Sequence, residues 1–298
     1  MYYVLCNPLS ANKQGAVRSQ SLVAKLPSEE LKFIDIREVS DYSAFWKTID
    51  REQDSVILSG GDGTLNRFIN ANEDIDLLPK KLYYYASGSG NDFMHDVSPD
   101  SDDLIPLHDY IRDLPVVTVK GKDYRFINGI GFGIDGYCCE MGDKKKEKSD
   151  KPVNYTAIAI TGLLFGFKPA NAKVTVDGET YEYKKAWIAP TMKGKYYGGG
   201  MKVTPEQDRF DPEGKVSFAV LHGTGKIRTL MIFPSIFEGE HVKHTEAVEV
   251  HTGNEVTVEF DRPMALQVDG ETILDVSSYT VRAGKKVTKT VANAVGAE

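Results

Sequence analysis

Cysteine is scarce in this chain, three in 298 residues, and its placement is unpatterned. Cys6 falls in a short apolar run, and Cys138 and Cys139 are adjacent, so neither a C-x-x-C pair nor a metal-ligand spacing exists. A disulfide framework and a zinc module are thereby excluded, and buried thiols in a reducing compartment are expected. The six histidines add no ligand set; only His241 and His244 stand three apart, without a third partner. Long apolar runs are missing as well. YTAIAITGLLFGF, at 155–167, falls well short of the roughly 20 residues that span a bilayer. MYYVLCNP, at the start, has neither the basic region nor the apolar length of a signal peptide. Excess positive charge is absent, since 36 Lys and Arg against 43 Asp and Glu leave a formal −7. That balance argues against a nucleic-acid footprint and leaves room only for a local basic patch. A cytoplasmic location with transient membrane association is the expectation.

What is present is an alternation of short apolar runs and helix-period segments over the first 95 or so residues. Tyr2–Cys6, 31–39, 55–59 and 82–86 read as strands. Val17, Leu22, Val23 and Leu26 form a helical stripe, Phe45, Trp46 and Ile49 a second, and Leu65, Phe68 and Ile69 open a third. Such an order predicts a Rossmann-like α/β domain with a mostly parallel sheet, whose ligands bind beyond the C-terminal strand ends. From Pro115 onward, Val/Thr/Tyr-rich runs with turn signals predict a mainly antiparallel β-sandwich, interrupted by one helical stretch at 136–167. The domains are expected at 1–116 and 117–285, with 286–298 either returning to the first domain or fraying.

Three polar turns stand at predicted strand ends: NPLSANKQG (7–15), SGGDGT (59–64) and ASGSGNDF (86–93). Glycines between a strand and a helix leave backbone N–H groups unobstructed, and a helix N-terminus adds partial positive charge, so such a turn suits an anion. The spacing of Gly60, Gly61 and Gly63 matches neither the P-loop G-x-x-x-x-G-K-[ST] nor the dinucleotide G-x-G-x-x-G. Asp62 would repel a phosphate unless a cation or hydroxyl intervened, so it points to Mg²⁺ or a water network, with Thr64 as helix cap or phosphate donor. The plain alternative is a tight turn with no ligand. Together the three loops have the makings of a nucleotide seat.

The ordered set NP, GGDGT, GSGND, NGIGFGID (128–135), YYGGGMKVTP (196–205), FDPEGKV (210–216) and QVDGE (267–271) resembles the diacylglycerol kinase catalytic domain family, specifically its soluble bacterial lipid kinases. GGDGT is shared with NAD kinases, but the asparagine-glutamate pair and Gly-Ser-Thr-Ala-Tyr run expected there are not found. The resemblance implies ATP bound between two domains and a lipid hydroxyl as phosphoryl acceptor. It places Asn7, Pro8, Leu9, Ser10, Ala11, Ser40, Gly60, Gly61, Asp62, Gly63, Thr64, Leu65, Asn66, Gly88, Ser89, Gly90, Asn91 and Asp92 at the nucleotide. It also implies a structural Mg²⁺ at Phe210, Glu213 and Lys215, where glutamate replaces the family's aspartate. The asparagine usual shortly before the GGGM run is missing from WIAPTMKGKYY.

Phosphoryl transfer to an alcohol asks for a carboxylate to take the hydroxyl proton. The resemblance puts Asp269 and Glu271 in that role, with Asp62 organising a metal or water network. VDGET occurs twice, however, at 176–180 and 268–272, and Asp-Gly between apolar strands is also a strong hairpin signal. The first copy reads as a turn and the second as catalytic. Lys144, Lys145, Lys146, Lys148 and Lys151 precede the apolar stretch at 155–167; such a run is either a solvated connector or a bilayer contact near a lipid substrate. No nucleic-acid partner is expected. A soluble-metabolite kinase such as an NAD kinase, or a nucleotide-binding protein without transferase activity, are the alternatives. Acceptor identity and any homo-oligomer remain open on these residues.

Overall fold

A computed structural model describes residues 1–284 apart from 73, 102 and 150–152. The expectation for 286–298 lies outside the described residues. Strands β1 (Tyr2–Cys6), β2 (Leu31–Asp35), β3 (Ser55–Gly60) and β4 (Lys81–Ala86) run parallel in the order β2-β1-β3-β4, and the short β5 (Ile105–Pro106) adds an antiparallel edge. Every residue of β3 is buried, as a central strand covered on both faces requires. Helix Asp62–Ala71 buries Leu65, Phe68 and Ile69 against this sheet at helical spacing.

Two elements differ from the sequence pattern. The strand expected over 31–39 stops at Asp35, whose side chain accepts from Arg37 N and caps the 3₁₀ turn Ile36–Glu38. The stripe of Val17, Leu22, Val23 and Leu26 is split between two short helices, Gly15–Ser19 and Ser21–Lys25; Leu22 is buried while Val17 and Val23 face solvent. Around Gln20 the backbone stays helical but tightens, with Gln20 N shared between the Ala16 and Val17 carbonyls and Val23 N donating to the Gln20 carbonyl, so the 3.6-residue spacing is interrupted there.

The second sheet starts at β6 (Val116–Val119) and continues through β7 (Lys122–Arg125), β8 (Gly129–Phe132), β9 (Ala170–Val176), β10 (Glu179–Ala186) and β11 (Thr191–Met192). A small pair, β12 (Tyr196–Tyr197) and β13 (Met201–Lys202), precedes β14 (Val216–Leu221), β15 (Val248–Gly253), β16 (Glu255–Val268) and β17 (Glu271–Arg282). The order is β15-β14-β11-β8-β16-β17-β6-β7, with the β9-β10 hairpin joined through β16. Irregularities between Glu259 and Leu266 bend β16, so one end pairs with β9 and the other with β8. Its inner faces close on one core, where the Phe132 and Phe260 rings stack at 4.0 Å and Tyr279 meets Phe132 edge-on. Helices Ile134–Lys148 and Tyr155–Thr161 and the π-turn Gly162–Gly166 occupy the expected helical stretch. No helix among the described residues is long and apolar enough to cross a membrane.

Candidate active site

The three loops meet beyond the C-terminal ends of β1, β3 and β4. Asn7 closes the first: its Oδ1 accepts from Leu9 N, and its Nδ2 donates to Thr64 Oγ1 at 2.8 Å, tying β1 to the helix after β3. Gly15 has no room for a side chain, because a methyl group there would lie 2.0 Å from the Asn7 carbonyl oxygen. Ser10 Oγ donates to that same carbonyl, and Ala11 sits in the left-handed region at φ 50°. Beneath the loops the hydroxyls of Ser19, Ser59 and Ser87 form a buried chain with spacings of 2.8 and 3.0 Å, one serine from each loop's support.

The two glycine loops touch backbone to backbone. A methyl group at Gly88 would lie 2.3 Å from the Gly61 Cα, so any larger residue would force the loops apart. Ser87 N donates to the Gly60 carbonyl, and Asn91 Oδ1 accepts from Gly88 N to round the second loop. Arg18 Nη1 donates to the Gly88 carbonyl at 2.6 Å. The amides of Gly63, Ser89 and Gly90 have no hydrogen-bond partner among the described residues, and two of them belong to the exposed rim of the second loop. Free amides beside a helix N-terminus are what a phosphate needs.

Asp62 stands between these loops and the second sheet. Its carboxylate accepts from Asp92 N and Phe93 N, capping helix Asp92–Val97, and from Asn128 Nδ2, each at 2.9 Å. Three donors on one carboxylate resolve what an aspartate does inside a glycine turn here: it locks the second loop and the other domain to the first. Asp92 is itself held by the amides of Gly199 and Gly200, in a run where Gly198, Gly199 and Gly200 all have positive φ. Burial, and next the neighbouring Asp62 charge, push the Asp92 carboxyl up to about 7, against those two amides.

Asp269 and Glu271 arrive opposite on the β16-β17 hairpin, and they differ sharply. Asp269 is 6 % exposed and accepts from Ile127 N at 2.7 Å and from Asn128 N, Gly129 N and Asn66 Nδ2 at 2.9 Å. Burial raises its pKa while the four donors work the other way. The side chain of Glu271 is 42 % exposed; its Oε1 lies 3.4 Å from where a methyl on Gly63 would stand, and Arg67 Nη2 pairs with it at 2.8 Å. Residues 60–64, 87–92 and 269–271 thus converge on one cleft. Asp177, in the other VDGET copy, turns the β9-β10 hairpin and accepts from Asn254 N and Glu255 N.

Other predicted residues lie elsewhere. Leu65 points into the core, and Leu9 points to solvent. Pro8 lies in the first turn and Ser89 on the exposed rim of the second loop. Ser40 lines a shallow cavity of 410 Å³ past β2, with Ile34, Val39, Asp41 and Phe45. For a divalent ion, Phe210, Glu213 and Lys215 are a poor fit as placed. The resemblance implies the Glu213 carboxylate with the carbonyls of Phe210 and Lys215; Lys215 Nζ sits 2.7 Å from that carboxylate, and the Lys215 carbonyl accepts from Gln207 Nε2. A hard cation wants six or more oxygens, and here an ammonium already holds the one carboxylate.

Several supporting residues were not picked out from the sequence. Asn128 and Asp135 both lie in NGIGFGID, where a polar residue inside an apolar run is the available signal. Asp135 is buried and accepts from the Tyr197 hydroxyl; burial pushes its carboxyl up to about 7, against that hydrogen bond. Arg209 ion-pairs with Asp96 and donates to Asn128 Oδ1 at 2.7 Å, so it positions the asparagine that grips Asp62.

Comparison with known proteins matches this arrangement. Residues 1–114 match the diacylglycerol kinase catalytic domain, and residues 128–286 match the YegS C-terminal NAD kinase beta sandwich-like domain. A diacylglycerol kinase of Mycobacterium tuberculosis is 22 % identical over 279 residues, covering 90 % of this chain and 87 % of that one. Another, from Bacillus subtilis, is 24 % identical over 228 residues, 74 % and 72 % of the two chains. The crystal structure of a diacylglycerol kinase from Bacillus anthracis superposes with a TM-score of 0.63 at 19 % identity, over 95 % of this chain and 94 % of that one, which shows a shared fold. With residues 128–286, more than half of its length, matched by one model and residues 1–114 by the other ahead of it, the chain belongs to the family of the YegS C-terminal NAD kinase beta sandwich-like domain and carries a diacylglycerol kinase catalytic domain match in its first part.

Proposed function

We propose that this kinase transfers the γ-phosphoryl group of ATP to a hydroxyl of diacylglycerol or a similar lipid. The observation that carries the reading is the placing of one solvent-facing carboxylate, Glu271, over the helix N-terminus and touching glycine loops that offer free amides. Diacylglycerol kinases among the relatives support the lipid class.

In this reading the amides of the two glycine loops, with Thr64 and Asn7, hold the polyphosphate, and Mg²⁺ enters with ATP as part of the substrate and neutralises phosphate charge. Glu271 takes the acceptor's proton as the lipid oxygen bonds to the γ-phosphorus. The bond from that phosphorus to the bridging oxygen breaks, and ADP leaves. Asp269 holds the hairpin at the right height and takes no proton. Arg67, paired with Glu271, keeps the carboxylate oriented until the acceptor arrives. No step runs through Phe210, Glu213 and Lys215.

The test is transfer of labelled phosphate from Mg²⁺-ATP to a panel of lipid alcohols in mixed micelles, with NAD as the soluble acceptor. Label in a diacylglycerol-class lipid supports the reading. Label in NAD alone, or nucleotide binding without turnover on any acceptor, overturns it.

A further inference from the structure

Three large apolar side chains stand almost fully in solvent: Phe165 at 81 %, Ile227 at 76 % and Met231 at 75 % exposed. They form one surface. Ile227 and Met231 are four apart on helix Lys226–Ile232 and share its outer face, while Thr229 and Ile232 are buried beneath. Phe165 belongs to the π-turn Gly162–Gly166, and Lys226 Nζ donates to the Leu164 carbonyl at 2.8 Å, joining helix to turn.

The charge around this surface is skewed. Neither 153–176 nor 214–237 contains an aspartate or glutamate, in a chain with 43 of them among 298 residues, while Lys168, Lys226 and Arg228 lie within these segments. Arg228 is paired with Glu246 from another segment, which leaves Lys168 and Lys226 as the basic edge; an apolar face with that edge on a net-negative protein complements an anionic lipid leaflet. A second copy of the same face would bring its own basic rim against this one, which is unfavourable.

One helix fixes this face relative to the cleft. Ile134–Lys148 carries Tyr137, against whose hydroxyl a methyl at Gly166 would fall at 2.3 Å, and Asp143, which accepts from Thr272 Oγ1 at 2.7 Å next to Glu271. The lysine run contributes less than its sequence promises, because Lys144 and Lys146 pair with Glu140 and Asp143 on their own helix.

We propose that Phe165, Ile227 and Met231 insert into an anionic lipid leaflet and seat the protein there with its acceptor side at the bilayer. The inference deepens the lipid-kinase reading and rests on it for the meaning of docking, although its measurement needs no turnover.

The experiment is flotation of the full chain with vesicles of phosphatidylcholine, alone or mixed equally with phosphatidylglycerol. The wild type is compared with Phe165→Ser/Ile227→Ser/Met231→Ser and with Val17→Ser, an exposed apolar residue elsewhere. Wild type and Val17→Ser should float with the anionic vesicles, and the triple variant's partition should fall on the order of a hundredfold. Its turnover of a short-chain, monomerically dispersed diacylglycerol should stay at the wild-type level, which reports folding and chemistry separately. Equal flotation of the triple variant, or no binding of wild type to anionic vesicles, overturns the proposal. So does a wild-type dimer in sedimentation velocity that the triple variant abolishes without vesicles. Loss of flotation in the variant, with no lipid turned over by either protein, upholds the docking face and sinks the kinase reading.

Discussion

Replacing Asp269 by asparagine separates two roles that one acidic pair can play. The substitution keeps shape and size but turns one carboxylate oxygen into an NH₂. Each oxygen of Asp269 serves two donors: Asn128 N and Gly129 N on one, Asn66 Nδ2 and Ile127 N on the other. Whichever way the amide sits, two buried N–H groups lose their acceptor and face another donor. At about 1–3 kcal/mol for each stranded group, the loss is about 4 kcal/mol, a large share of a domain's stability. Glu271→Gln, at a solvent-facing position, should change stability by no more than about 0.5 kcal/mol and lower kcat by about 10²–10⁴-fold. Urea titrations of both variants, with ATP turnover on diacylglycerol micelles, measure the four quantities. The reasoning is refuted if Asp269→Asn unfolds at the wild-type midpoint while losing turnover, because a fully engaged structural carboxylate cannot behave so.

Three further outcomes are expected. Gly88→Ala drives a methyl group toward the Gly61 backbone and should cost about 1–3 kcal/mol and weaken ATP binding, which calorimetry would read. Asp135→Asn should flatten the pH dependence of stability. The native carboxyl holds its proton up to about pH 7 while the unfolded one releases it near 3.8, so the wild type loses stability as pH rises through that window. From pH 5 to 8 the wild type should lose about 3 kcal/mol more than the variant in paired urea titrations, from about two units at about 1.4 kcal/mol each; parallel profiles would show Asp135 ionised in the fold. Asp177→Asn keeps an oxygen for Asn254 N and Glu255 N and tolerates the turn's positive φ, so melting temperature and turnover should both match the wild type.

The parallel sheet was legible because its strands are short buried runs bracketed by glycine and polar turns, and the three loops follow from strand ends in a parallel sheet. What the sequence hides is the contrast between the two VDGET copies. Both are hairpins with positive φ at Asp and Gly, so local pattern treats Asp177 and Asp269 alike. Their difference lies in what comes near: Asn66 from a helix 203 residues away and the amides at 127–129, contacts that no local periodicity encodes. Arg209 and Asp96, 113 residues apart, are invisible for the same reason. Glu213 was legible as a carboxylate at a loop; that Lys215 would fold back on it depends on side-chain geometry.

Asp62 reaches from the first sheet to Asn128 of the second, and Asp269 reaches from the second back to Asn66 of the first. This reciprocity makes the seam a double latch. Parting the halves by a few ångströms would strip partners from both carboxylates at once, so a wide-open clamshell is a costly excursion. The width between the glycine loops and the β16-β17 hairpin is therefore fixed from both sides, by a carboxylate anchored in each.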